Sequence, residues 1–92
     1  MKARFHPEAR AEHLQSARFY ERERKGLDTI ARAVKRIGKS PDSFPVYRSP
    51  FRRLVILEFP FTLIYSIEAD SVLIVAVAHQ SREPEYWTDR LS

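Results

Sequence analysis

The sequence contains no cysteine. Disulfides and thiolate zinc sites are thereby excluded, and nothing asks for an oxidising compartment. Its only glycines are Gly26 and Gly38, so there is no glycine-rich loop to cradle a phosphate. No apolar run comes near the roughly 20 residues that a membrane-spanning helix needs. The first residues are charged and lack the apolar centre of a secretory leader, which makes a cytoplasmic protein the expectation. Repeats, low-complexity tracts and linkers are absent as well. Residues 1–92 therefore read as one domain with one small core. His6, His13 and His79 lack metal-ligand spacing, and no serine stands in a nucleophile elbow. Glu58 is a lone carboxylate inside an apolar strand, more simply a solvent-facing residue than a general base. No cofactor and no membrane partner is expected.

What is present is a dense apolar stretch from Leu54 to His79. It falls into three runs, Leu54–Phe59, Thr62–Glu68 and Val72–His79, rich in residues that fit a pleated, half-buried surface. Pro60 breaks the first junction because it cannot donate to a strand ladder. Ala69-Asp70-Ser71 breaks the second. Two successive hairpins follow, forming an antiparallel meander. Val72–Ala78 is apolar on both faces and belongs inside the sheet. In the first run Val55, Leu57 and Phe59 point one way, and Leu54, Ile56 and Glu58 the other.

Upstream, Ala3-Arg4-Phe5 is a short strand. Pro7 then opens a helix, with Glu8 in the first turn where a negative charge suits the dipole. The pattern carries that helix to about Lys25. Leu14, Ala17 and Phe19 or Tyr20 fall on its packed face, Glu12 lies on the other, and Gly26 is the stop. Leu27, Ile30, Ala31, Val34 and Ile37 make the stripe of a second helix ending at Gly38. Ser40–Pro45 is a loop. Val46 and Tyr47 begin an edge strand that Pro50 interrupts. Glu83-Pro84-Glu85 starts a terminal helix through Leu91. The expected fold is α+β, in the order β-α-α-β-β-β, with a helical hairpin on one face of a small, mainly antiparallel four-stranded sheet.

The net charge of +4 and the pI near 9.8 come mostly from arginine, whose planar fork matches phosphate and carboxylate. Such a surface fits nucleic acid, a ribosome or an acidic protein, or simply keeps the chain in solution. The cations and rings to weigh are Arg52, Arg53, His79, Arg82, Tyr86, Trp87 and Arg90. Strand order alone puts Arg52 and Arg53 towards the sheet end opposite His79, unless the C-terminal segment folds back. The bland alternative is that Tyr86 and Trp87 close the core while Arg82 pairs with Glu83 or Glu85.

FPFTLIY (Phe59–Tyr65) followed by AVAHQSREPEYWTDR (Ala76–Arg90) resembles the RelE/ParE family of bacterial type II toxins, and its ParE-like branch more than its RelE-like one. The carriers are an FPY-like step, a tyrosine-bearing strand and a strand-ending H-x-x-R-x-P element at His79, Arg82 and Pro84. The upstream A-x-x-Y-E-like residues Ala17, Tyr20 and Glu21 agree, so the resemblance spans nearly the whole chain. It implies a growth-arresting toxin of a plasmid-stabilisation type, neutralised by a cognate antitoxin. RelE-like members cut mRNA on the ribosome. ParE-like members bind DNA gyrase without catalysing a reaction themselves. The cutting type often carries an arginine where this chain has Thr62, and a second basic residue where it has Gln80. If the chain were such a ribonuclease, Arg53, His79 and Tyr86 would be its catalytic residues. As a binding toxin it would present Arg52, Arg53, His79, Arg82, Tyr86, Trp87 and Arg90 to gyrase. A third possibility is a relative that has lost toxicity and keeps only the binding module.

Overall fold

The computed structural model describes residues 1–16 and 23–91. The elements are β1 (Lys2–Phe5), α1 (Pro7–Ser16), α2 (Glu23–Lys39), β2 (Val46–Arg48), β3 (Phe51–Ile56), β4 (Phe61–Ile67) and β5 (Ser71–His79), with 3₁₀ turns at Pro41–Ser43 and Thr88–Leu91. The strands form one sheet in the order β1-β5-β4-β3-β2. The meander β3-β4-β5 is antiparallel, and β1 joins β5 in parallel, Lys2 to Phe5 against Ser71 to Ile74. The expected α+β layout holds, with β5 inside the sheet. A fifth strand, β2, extends it by three residues along β3.

Alternation on the strands separates two cores. Leu54, Ile56, Phe61, Leu63, Tyr65, Val72, Ile74 and Val77 face the helices and pack with Ala9, Ile30, Ala33 and Ile37. Ile64, Leu73, Val75 and Ala76 face the other way and pack with Trp87. The second face is therefore partly covered by the C-terminal segment. Trp87 is only 2% exposed, with Phe51 set edge-on to its ring at 4.9 Å.

Several local expectations are corrected. Gly26 does not stop a helix, because it lies inside α2, which starts at Glu23. The expected turns around Ala17, Phe19, Tyr20 and Glu21 lie outside the described residues. Leu14 is exposed, and the buried side of α1 is instead Ala9 and Ser16, with Glu12 and His13 half-buried between them. On α2 the buried residues include Ala33 rather than Ala31, since Thr29, Ile30, Ala33 and Ile37 are the ones turned inward. Gly38 sits in the last turn of α2, where an added Cβ would stand 2.7 Å from the Met1 carbonyl oxygen. β3 ends at Ile56, and Leu57–Pro60 is a four-residue turn rather than more strand. The terminal helix is replaced by the 3₁₀ turn, because Glu85 adopts a φ of 67°, a left-handed conformation that helical backbone does not allow.

Core burial and surface exposure make opposite predictions for two large side chains. Trp87→Ala empties the second core and should cost about 3–5 kcal/mol. Leu57, 94% exposed, should tolerate Ser within about 0.5 kcal/mol. Urea denaturation followed by far-ultraviolet circular dichroism measures both.

Candidate functional site

Pro7 sends the chain from β1 into α1, so β1 stops pairing at Phe5 opposite Ile74. The last bond on that side is the His6 N–H donating to the Ile74 carbonyl, 2.9 Å. β5 runs on for five more residues, to His79. Its register against β4 slips here, since Ile64 faces Ala76 and Tyr65 faces Ile74, which leaves Val75 as a bulge. Val75 and Ala76 consequently both turn into the second core. The backbone edge beyond Ile74 is buried and has no neighbouring strand among the described residues, and such groups must find partners.

Side chains supply them. The Val77 N–H donates to Glu12 Oε1 at 3.0 Å, and Arg90 Nη1 donates to the Val75 carbonyl at 3.0 Å. Arg90 also forks onto the Glu12 carboxylate, 2.9 Å to Oε1 and 2.7 Å to Oε2. The Tyr86 hydroxyl donates to Glu12 Oε2 at 2.6 Å. Glu8 adds a longer contact to Arg90 Nε at 3.2 Å. The Arg90 and Glu12 side chains are 8% and 11% exposed. Helix α1 and the C-terminal segment, on opposite faces of the sheet, are thus tied together around the bare edge of β5.

The electrostatics follow from this arrangement. Burial pushes the Glu12 carboxyl up, but hydrogen bonds from Arg90, Tyr86 and the Val77 amide, with the charge of Arg90, outweigh it and hold Glu12 below the ordinary carboxylate value. Burial, then the hydrogen bond to Glu12 and its negative charge, push the Tyr86 hydroxyl well above its ordinary value. The hydrogen bond to Glu12 likewise raises Arg90.

With the C-terminal segment held across the sheet, Arg53, His79, Arg82 and Tyr86 line one notch of about 180 Å³, along with Tyr47 and Gln80. The exception to the opposite-ends expectation for Arg53 and His79 therefore applies. The segment folds back, and Arg53 lies opposite Ile64, whose other neighbour is Ala76 on β5. The Arg53 guanidinium lies over the Tyr47 ring at 4.6 Å, and that of Arg82 over the Tyr86 ring at 3.9 Å. Among the described residues neither guanidinium meets a carboxylate, because Glu85 is taken by Arg48 at 2.6 Å. His79 Nδ1 accepts the Ser81 N–H at 3.0 Å and lies 2.7 Å from the Ser81 hydroxyl. A backbone N–H can only donate, so the proton of the neutral ring is on Nε2.

The other expected residues are placed elsewhere. Arg52 is on the helix side, where its Nη1 donates to the carbonyls of Phe44 at 2.6 Å and Asp42 at 3.2 Å. Together with Tyr65, whose hydroxyl donates to the Pro41 carbonyl, it pins the loop after α2. Trp87 is core and Arg90 is in the edge tie, because each satisfies a buried demand that a surface role would leave open. Glu58 is exposed in the β3–β4 turn. Glu12 and Tyr47 were missed. Glu12 falls between the small residues Ala9 and Ser16 on one helix face, a spacing that could have revealed it. Among the described residues no group of His, Asp or Glu is arranged to hold a metal ion.

A second concavity, about 770 Å³, lies between α2 and β3. Arg32, Lys35, Arg36 and Lys39 line its helix wall, and Val55 and Leu57 its strand wall. β2 pairs only with Phe51 and Arg52, and the Arg53 N–H donates to the Pro45 carbonyl; beyond that, no strand among the described residues lies beside the outer edge of β3. Among the described residues no helix is long and apolar enough to cross a membrane.

The edge tie gives a pH-dependent prediction. Glu12 is held below its ordinary value in the folded state, so its stabilisation is present above the unfolded carboxyl pKa and is lost as pH falls through the lower folded value. Glu12→Gln should cost about 3 kcal/mol at pH 7 by leaving Arg90 buried without its charge partner. The difference from wild type should shrink as pH falls through the acid range. Urea unfolding at pH 7 and at successively lower pH measures it; a constant difference would show that the Glu12 charge is not what matters.

Comparison with known proteins gives a consistent picture. A family model described as the ParE toxin of type II toxin-antitoxin system, parDE, matches residues 3–84. A solved chain from the chromosomal ParDE toxin-antitoxin system of P. aeruginosa superposes with a TM-score of 0.76 at 17% identity, over 86% of this chain and 95% of that one. At that identity the likeness establishes the shared fold. No curated protein matches. A family match spanning β1 to the H-x-x-R-x-P element, on a sheet whose C-terminal segment folds back over one face, places this chain in the ParE toxin family of type II toxin-antitoxin systems.

Proposed function

We propose that this chain arrests bacterial growth in the cytoplasm by binding DNA gyrase, with Arg53, His79, Arg82 and Tyr86 facing the target. The observation that carries this reading is the pair of ring-stacked guanidinium groups, without carboxylate partners among the described residues, in the notch of a ParE-family toxin. Arginine resting over an aromatic ring keeps N–H donors available and loses little freedom on binding. Arg52, Trp87 and Arg90 support the surface from behind: Arg52 pins the loop after α2, Trp87 fills the second core, and Arg90 holds the C-terminal segment.

Family membership implies a cognate antitoxin. The α2–β3 groove is where we place it, because four basic side chains stand beside exposed Val55 and Leu57 and the open edge of β3. An acidic amphipathic segment complements such a wall.

The mRNA-cutting alternative is less well supported. It would use Arg53, His79 and Tyr86, yet the Tyr86 hydroxyl is bonded to Glu12 and pushed well above its ordinary value. That leaves it a poor proton carrier near neutral pH.

Induction of the chain alone should produce filamentous cells, and the purified protein should inhibit supercoiling by gyrase and trap cleaved DNA. Arg53→Ala with Arg82→Ala should restore growth and raise the concentration needed for inhibition at least about tenfold. Unaltered supercoiling in the presence of excess wild-type protein would refute the gyrase target. Lys35→Glu with Arg36→Glu should weaken antitoxin binding about tenfold or more while leaving toxicity intact, as measured by calorimetry on the purified pair and by growth of cells expressing both.

A further inference from the structure

The notch has a chemistry more specific than a generally basic surface. Two guanidinium groups, Arg53 and Arg82, lie over the Tyr47 and Tyr86 rings and meet no carboxylate among the described residues, so N–H donors are left to bind. His79 lines the same notch, with its Nδ1 accepting from the Ser81 N–H. The space they share, about 180 Å³, is well under the roughly 300 Å³ of the smallest usual small-molecule pockets. It suits one small anionic group entering from a larger body. Aromatic faces beside arginine forks are the pairing used by surfaces that follow a nucleic-acid backbone. Two carboxylates also stand on the rim. Glu85 is neutralised by Arg48, which leaves Glu83 as a local opposing charge.

We propose that this notch is a binding site for the phosphodiester backbone of nucleic acid, one phosphate seated between Arg53 and Arg82. This rests on the reading that the notch faces the target. It adds that the contact is to DNA held by the target enzyme rather than to that enzyme's acidic side chains.

The test uses the purified full chain and fluorescently labelled single-stranded and duplex DNA oligonucleotides of the same sequence, with polyglutamate as the acidic-peptide probe. Anisotropy is read across a salt series. Removing one phosphate contact lowers the slope of log affinity against log salt by about 0.7 for single strands and 0.9 for duplex. Arg53→Gln and Arg82→Gln should each lower the slope by that amount and weaken binding about tenfold. Glu83→Gln should tighten it. Lys2→Gln with Arg10→Gln removes as much charge away from the notch and should leave the Arg53 and Arg82 effects in place. All five side chains in the arginine, glutamate and control positions are exposed, so thermal unfolding should be unchanged.

Absence of oligonucleotide binding at low salt would overturn the proposal. So would an equal loss from the Lys2 and Arg10 control, or polyglutamate binding with the same arginine dependence in place of DNA. The single-stranded and duplex arms decide which form of backbone the notch prefers. Growth arrest is scored in parallel and separates the two readings. Loss of arrest in variants of a protein that binds no oligonucleotide would leave the target surface standing and remove the phosphate assignment. Loss of DNA binding with arrest intact would do the reverse.

Discussion

A bare backbone edge is the constraint around which this molecule is built. β5 continues past the point where β1 leaves it, and the amide and carbonyl it presents there are buried. Each such group left without a partner costs about 1–3 kcal/mol, a large share of the stability of a domain this size. A longer β1 would solve the problem, but Pro7 turns the chain into α1. The solution is an ion pair: Glu12 takes the Val77 N–H, Arg90 gives to the Val75 carbonyl, and the two satisfy each other through two parallel bonds. Buried charges of this kind add little net stability against an apolar replacement. What they add here is position, because each demands the other at one place only.

That position reaches the notch through Tyr86. Its hydroxyl is anchored on Glu12, and its ring is the platform on which Arg82 lies. Arg90 stands 5.0 Å from the same ring. A helix residue that lines no part of the notch thereby sets where a notch guanidinium rests. The other guanidinium, Arg53, is placed independently, by a strand in register with β4 and by Tyr47 on the short edge strand β2. One half of the notch belongs to the sheet and the other to the folded-back segment, and the edge tie is what joins them.

Much of the scaffold was legible in the sequence, for physical reasons. The meander and α2 bury apolar side chains at the periods of strand and helix, and those periods are printed in the residues themselves. The H-x-x-R-x-P element was equally plain. Glu12 was not, because a carboxylate on the buried face of a helix breaks the rule by which buried faces are found; only Ala9 and Ser16 on either side mark it. The bulge at Val75 left no trace either, since Val-Ala-Val is apolar whichever residue slips. β2, the edge strand expected at Val46 and Tyr47, is three residues long and is held by the strand beside it. The left-handed Glu85 that unmade the terminal helix belongs to a residue type with no preference for that conformation, and its carboxylate is held by Arg48.

The two surfaces are chemically distinct yet physically adjacent. The α2–β3 groove combines lysine and arginine with exposed aliphatic side chains and an open strand edge, features suited to a long amphipathic segment. The notch is small, ringed by guanidinium and aromatic groups, and has no apolar floor broad enough for a helix. They meet at the β3–β4 turn. Leu57, Glu58, Phe59 and Pro60 form a shallow concavity with Gln80, a residue that also lines the notch, and the Gln80 N–H donates to the Pro60 carbonyl at 2.8 Å. A chain lying along β3 towards Leu57 therefore ends within one residue of the His79–Arg82 wall. A segment filling the groove as far as Leu57 would therefore stand beside the notch.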